Sequence, residues 1–255
     1  MGIEINTAEE FEKLIQICHS NLKNSSQCIE YLKDRGLTGE DVRKYRLGYF
    51  PQSVKKLTQH VSPKLLNSAN IADVVGYSRF RDYYYLTIPI FSEYGEPVGI
   101  SGRALLKDEE RQMLNLPKYL NSSYKKANIL YGLNHSAPYI LDKKNVYVVE
   151  GYFDFIAMDK NGVKNTVAIC GTAFSKNHLV KLSRYTKRIT FILDSDDAGQ
   201  KSMSSIYKKF SSYGIALDFL SFTDGSKDAG EYFSKKDKSA KTLKQDLSRM
   251  LVGWS

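Results

Sequence analysis

The sequence predicts an α/β protein in which an N-terminal mixed α+β part is followed by a short parallel sheet flanked by helices. Three observations carry this. Residues 7–45 show apolar residues at helical spacing, interrupted by helix stops. Residues 83–103 hold two runs of strand formers around a tight turn. From Asn145 onward, four short apolar runs alternate with helix-period segments, the pattern of parallel strands buried on both faces.

Each element follows from its residues. Phe11, Leu14, Ile15 and Cys18 line one face of a helix over residues 7–23, with Thr7 as its N-cap and Glu10 three residues on. A second helix over 27–35 stops at Gly36, and a third opens at Thr38 and ends near Gly48 and Pro51. Tyr83–Ile90 reads as a strand, Glu93-Tyr94-Gly95-Glu96 as a turn, and Pro97–Arg103 as the returning strand. Residues 106–125 are polar and read as loop.

In the second half the apolar runs are Val146–Val149, Thr166–Cys170, Ile189–Leu193 and Ile215–Leu220. Helical segments over 152–161, 175–185 and 197–213 separate them. The Lys-rich segment 235–255 reads as one terminal helix. Its Lys235, Lys236, Lys238, Lys241 and Lys244 read as a solvated helix face.

Composition narrows the class. A hydrophobic content of 42% with 25% charged residues excludes wholesale disorder. No apolar run approaches the roughly 18 residues of a membrane span, and the opening residues lack the basic start of a secretory signal. The three cysteines form no C-x-x-C pair, and Cys18-His19 with Cys28 offers one ligand fewer than structural zinc requires. A reducing cytoplasm is expected. The net charge is +9, with the larger share of the excess in the C-terminal half, and it points to a polyanionic partner without proving one.

Acids collect where such a sheet places its site. The first run ends in Glu150-Gly151, with Asp154 in the first turn of the next helix. The third ends in Asp194-Ser195-Asp196-Asp197, and the fourth leads to Asp224-Gly225-Ser226-Lys227-Asp228. In an open parallel sheet, ligands bind just past the carboxyl ends of the strands. Like charges at about 4 Å repel by several kcal/mol, and a divalent cation removes that cost. Ligands that are all oxygen point to Mg²⁺ or Mn²⁺ and not to zinc. Plainer roles remain open: Asp196 or Asp197 as a helix cap, Asp154 as a first-turn acid, Asp224-Gly225 as a turn.

At these residues the chain resembles a known family. Glu150-Gly151-Tyr152-Phe153-Asp154 and Asp194-Ser195-Asp196-Asp197-Ala198-Gly199 resemble the E-G-[YF]-x-D and D-x-D-x-A-G motifs of the TOPRIM domain in DnaG-type DNA primases. Cys170-Gly171-Thr172 resembles the turn between them, and Lys227-Asp228-Ala229-Gly230-Glu231 the segment with the last acid. Gly230 departs there, standing where the family has a carboxylate or amide. Tyr31–Leu37, Arg46–Pro51, Ile88–Ile90 with Val98–Arg103, Pro117–Ser122 and Leu130–Leu133 resemble the N-terminal part of the primase core in order, and P-K-Y-L-N-S matches unchanged.

The resemblance implies template-directed synthesis of short RNA primers on single-stranded DNA from NTPs, with Mg²⁺ or Mn²⁺ and no zinc. It assigns Glu150, Asp154, Asp194 and Asp196 to catalysis, and Glu150, Asp194, Asp196 and Asp228 to metal binding. Glu150 is left as either a ligand or a general acid/base. Lys44, Arg103, Lys118, Tyr119 and Asn121 would face template and nascent RNA. The expected parts are an extension (1–26), a primase-core subdomain (27–140), the TOPRIM subdomain (141–234) and the basic helix (235–255). Neither the family's zinc-binding domain nor its helicase-docking domain finds a counterpart, as in a minimal core encoded by a phage or plasmid. A replicative helicase or a separate zinc-domain protein would then be further partners. A TOPRIM nuclease and a non-catalytic nucleic-acid-binding subunit are the competing readings.

Overall fold

The computed structural model describes residues 6–171, 173–194, 197–235 and 237–250. They form two compact units, divided between Tyr124 and Lys125, with the turn Ser92–Tyr94 grouped with the second. The boundary expected from the sequence lies later in the chain, at 140/141.

The first unit opens with helices α1 (Thr7–Asn21), α2 (Ser26–Asp34) and α3 (Gly39–Lys44). The cap of α1 is Asn6, one residue before the expected Thr7; its side chain accepts from the Glu9 N–H. Thr38 caps α3 in a reciprocal box with Asp41. Strand β1 (Gly48–Tyr49), short helices α4 (Val54–Leu57), α5 (Pro63–Ser68) and α6 (Arg79–Asp82), strands β2 (Leu86–Phe91) and β3 (Pro97–Arg103), helix α7 (Asp108–Met113) and strand β4 (Tyr119–Asn121) follow. The four strands form an antiparallel sheet in the order β1-β2-β3-β4.

The apolar stripe of α1 packs with Phe50, Phe80, Tyr84 and Ile100 in one core. Two expectations change here. Tyr83–Tyr85 precede the strand, and Tyr84 is buried, with its hydroxyl donating to the Pro117 carbonyl at 3.0 Å. Segment 106–125 is not loop: it supplies α7 and β4, and β4 exists because its backbone pairs with β3. With one strong apolar residue, Leu120, that strand carries no local signal of its own.

The second unit contains α8 (Leu133–Lys143), β5 (Val146–Val149), α9 (Tyr152–Lys160), β6 (Thr166–Ala168), α10 (Lys176–Leu182), β7 (Arg188–Phe191), α11 (Asp197–Phe210), β8 (Ala216–Phe222), α12 (Ala229–Ser234), α13 (Ala240–Leu243) and β9 (Leu247–Arg249). The strand order is β6-β5-β7-β8-β9. The first four strands are parallel, in the positions of the four apolar runs, and β9 is antiparallel to β8. The single terminal helix expected over 235–255 is therefore corrected to a short helix and an edge strand: the open ladder of β8 pairs with Leu247–Arg249.

Val146, Val148, Val167, Ile189 and Phe191 build the centre of this core, with Leu179, Met203 and Ile206 from the helices. Because the chain leaves β5 toward β6 and leaves β7 toward β8, the connections diverge at the β5/β7 pair. Such a divergence opens a crevice at the carboxyl ends of the two strands. Among the described residues, no helix is long and apolar enough to cross a membrane.

Candidate active site

The site begins where β5 ends. Past Val149, the Glu150 carbonyl accepts from the Cys170 N–H at 2.8 Å, continuing the β5–β6 ladder into the turn. Cys170 and Gly171 then take positive φ angles of 49° and 76°, which reverse the chain. The Glu150 side chain points to the other neighbour: its Oε1 accepts from the Asp194 N–H at 3.1 Å. The carboxylate of one strand end thus braces the backbone of the next, and both residues are half-buried.

The turn after Asp194 needs a glycine for space. A Cβ built on Gly199 would lie 1.9 Å from the Asp194 carbonyl oxygen, so α11 starts tight against the strand end. Asp196 and Ser195 lie outside the described residues, as does Thr172 of the neighbouring turn. Helix α11 begins at Asp197.

Asp154 joins a third segment. Its Oδ2 accepts from the Gly151 N–H at 3.1 Å, closing the first turn of α9, and its Oδ1 accepts from the Gly230 N–H at 3.1 Å. Gly230 contributes its backbone here. Two residues earlier, Asp228 caps α12 by accepting from the Glu231 N–H at 2.7 Å. The Glu231 carboxylate in turn accepts from the Lys227 N–H at 3.1 Å. A continuous path of hydrogen bonds and short chain segments runs Asp194, Glu150, Gly151, Asp154, Gly230, Asp228. Among the described residues no three acids stand close enough to hold a metal ion as a group; the fourth proposed ligand, Asp196, is not among them.

The donor set is carboxylate oxygen throughout, the chemistry of a hard divalent cation. Beside it, burial pushes the Cys170 thiol well above its usual range, and the Asp154 charge adds to the effect.

Asp224 is a turn residue, as expected of Asp-Gly. Its Oδ1 accepts from the Ser226 N–H and hydroxyl at 3.1 and 2.7 Å, and Gly225 has φ +77°. Lys235 and Lys238 pair with its other oxygen at 3.2 and 3.4 Å. These two lysines are thus engaged locally instead of forming a plain solvated helix face.

In the first unit, strand pairing sets Arg103 opposite Tyr119 and Ser101 opposite Asn121. Arg103 Nη1 donates to the Tyr119 hydroxyl at 2.7 Å, and its guanidinium lies 5.0 Å from that ring's centre. Arg103 is only 8% exposed. Burial pushes the Tyr119 phenol above its usual range, although the Arg103 charge opposes the shift. The Tyr124 hydroxyl donates to Asn121 Oδ1 at 3.1 Å. Lys118 is exposed beside them. Lys44 is exposed on α3, with its ammonium 5.0 Å from the Tyr45 ring centre.

Two further residues, Tyr31 and Arg35, join this group. The Tyr31 ring centre lies 5.1 Å from the Arg103 guanidinium and 5.3 Å from that of Arg35. The i,i+4 spacing of Tyr31 and Arg35 was the available signal. Their meeting with β3 was not readable from it.

Two family models match. Residues 17–137 match "DNA primase catalytic core, N-terminal domain", and residues 147–233 match "Toprim-like". The DNA primase of Aquifex aeolicus is 32% identical over 216 residues, which are 81% of this chain and 42% of that protein. The crystal structure of the zinc-binding and RNA polymerase domains of that organism's primase superposes with a TM-score of 0.82 at 28% identity, over 96% of this chain and 61% of the other. A DnaG primase catalytic domain bound to ssDNA gives a TM-score of 0.75 at 25% identity, over 94% and 79%. The chain spans well under half the length of the curated relatives it matches.

Proposed function

Because the chain belongs to the family of DnaG-type DNA primase catalytic cores, we propose that it synthesises short RNA primers on single-stranded DNA, using NTPs as substrates. The observation that carries the reading to chemistry is the Glu150–Asp194 hydrogen bond. It braces two acid-bearing strand ends at the divergence point of the sheet, where such sheets bind ligands.

The family's activity rests on divalent cations. Here Glu150, Asp194, Asp196 and Asp228 would hold Mg²⁺ or Mn²⁺, with no zinc. When bound, the cation lowers the pKa of the attacking 3′-hydroxyl and stabilises charge on the α-phosphate. The chain's own residues do the rest. Asp154 holds the β5–α9 turn to α12, so that the Asp228 segment stays beside the Glu150 turn. Glu150 either contributes its remaining carboxylate oxygen as a ligand or accepts the hydroxyl proton. Arg103, fixed on Tyr119, and exposed Lys118 and Lys44 neutralise strand phosphates, while Tyr119 and Asn121 face base or sugar edges.

Single-stranded DNA, NTPs and nascent RNA are the partners in this reading. A replicative helicase or a separate zinc-domain protein would join them, and the place of action is the bacterial cytoplasm. The test is incubation with single-stranded DNA, labelled NTPs and Mg²⁺ or Mn²⁺, beside Asp194→Ala. Short RNA made by the parent and not by the variant is expected. DNA binding without RNA product in either metal overturns the polymerase reading, and degradation of the DNA would assign a nuclease.

A further inference from the structure

A groove of about 360 Å³ lies between the last turn of α1, the 3₁₀ turn Leu22–Asn24, α2 and the start of α3. That volume is within the range of ligand clefts. Three local features hold its walls. The His19 Nδ1–H donates to the Leu47 carbonyl at 2.8 Å, which ties α1 to the segment after α3. Ser25 caps α2 by accepting from the Cys28 N–H at 3.2 Å. Gly36 ends α2 at φ +70°, and the Leu37 N–H returns to the Leu32 carbonyl at 3.0 Å before Thr38 opens α3.

The groove is aliphatic inside and cationic around. Leu22, Leu32 and Leu37 are buried in its lining, with Ile29 and Val42 half-buried beside them. Lys23, Lys33 and Arg43 also line it, and all three are exposed. Among the described residues, no acid and no Phe, Tyr or Trp lines it. At 3.6 residues per turn, Ile29 and Lys33 stand about 160° round α2 from Tyr31. The groove therefore uses the face of α2 opposite to the one that meets Arg103.

This chemistry selects its occupant. Bases of a single strand are held by stacking on aromatic side chains, and the lining offers no Phe, Tyr or Trp. The walls are helices and turns without an open strand edge, which excludes strand addition and suits a helix lying in a groove. Lys and Arg lay their stems along apolar surface and keep their charges in water, where they complement carboxylates. We propose that this groove docks an acidic amphipathic helix of a partner protein. Aliphatic side chains one turn apart would fill the floor between Leu22, Leu32 and Leu37, and Asp or Glu would meet Lys23, Lys33 and Arg43. The proposal does not depend on primer synthesis.

The test is fluorescence anisotropy of a fluorescein-labelled, Glu-rich helical peptide with leucines one turn apart, titrated with the full chain. Saturable binding in the micromolar range is expected, weakening as salt rises. The same peptide with its leucines changed to alanine should bind about tenfold more weakly, the scale of losing anchor side chains. Lys33→Glu, at an exposed position that leaves the thermal midpoint unchanged, should weaken binding about fivefold. Ile29→Ala should weaken it as well, and Lys33→Glu decides the matter if Ile29→Ala does not fold. Absence of saturable binding overturns the proposal. Equal binding of the leucine and alanine peptides overturns the role of the floor, and parent-like binding by Lys33→Glu overturns that of the cations. An unlabelled oligodeoxythymidylate should leave the peptide bound. Displacement of the peptide by it would assign the groove to nucleic acid and overturn the protein partner.

Discussion

Glu150 Oε1 accepts a hydrogen bond from the backbone N–H of Asp194 at 3.1 Å, so the acid at the end of β5 holds the end of β7 in place. The same carboxylate carries charge and geometry, and the two can be separated by substitution.

Glu150→Gln keeps the acceptor oxygen and removes the charge. Its unfolding midpoint should match the parent's, while primer synthesis falls by about 100-fold or more, the scale of losing a metal ligand or general base. Glu150→Ala should also lose about 1–3 kcal/mol of stability by leaving the Asp194 N–H without this partner. Urea denaturation beside a primer-synthesis assay reads both. A fully active Gln variant would remove Glu150 from the chemistry.

Gly199→Ala places a methyl group 1.9 Å from the Asp194 carbonyl oxygen. Backbone must shift to admit it, at a cost of about 1–3 kcal/mol for overpacking. The expected result is a lower unfolding midpoint together with weaker Mn²⁺ binding, measured by electron paramagnetic resonance. An unchanged Mn²⁺ affinity would show that the position of Asp194 does not govern the metal.

Asp154→Ala removes the acceptor of two backbone N–H groups, those of Gly151 and Gly230. A loss of about 1–3 kcal/mol is expected, with Asp154→Asn losing less because one oxygen remains. Hydrogen exchange at Gly230 should accelerate in both variants. Parent-like exchange there would mean that Asp154 does not tie α12 to the β5–α9 turn.

Acid titration should reveal the Glu12–Arg46 pair. Arg46 donates two hydrogen bonds to Glu12, at 2.9 and 2.6 Å, and these hold the Glu12 carboxyl below its usual range despite partial burial. A carboxyl lowered in the folded state stabilises above its unfolded pKa, near about 4.3, and that stability is lost as pH falls through the lowered value. Glu12→Gln should therefore be less stable than the parent by about 0.2–1 kcal/mol at pH 7, the range for a partly exposed pair. The gap should hold down to about pH 5 and close in stronger acid, near and below the unfolded value. Thermal midpoints of both proteins from pH 7 to pH 3 give the comparison, and a gap that widened in acid would reverse the assignment.

Much of this protein was legible locally. Parallel strands buried on both faces read as continuous apolar runs, so Val146–Val149, Thr166–Ala168, Ile189–Phe191 and Ala216–Phe222 were visible without a fold. The Thr38–Asp41 capping box and the Asp224-Gly225 turn span a few residues and were equally readable. Strand β9 and strand β4 were not. Each is three residues long and exists through pairing with β8 or β3, and a local pattern cannot report a partner elsewhere in the chain.

The site divides along the same line. The sequence alone determined which acids follow which strands, because strand, turn and helix signals sit next to Glu150, Asp154 and Asp194. Only the tertiary structure decided that Glu150 braces Asp194, 44 residues away, and that Asp154 reaches Gly230, 76 residues away. It also decided that Tyr31 of α2 lies against Arg103 of β3. The physical reason is that a turn is set by the conformational preferences of its own residues. A hydrogen bond or ring contact between distant segments is set by how whole elements pack, which depends on all the surfaces buried at once.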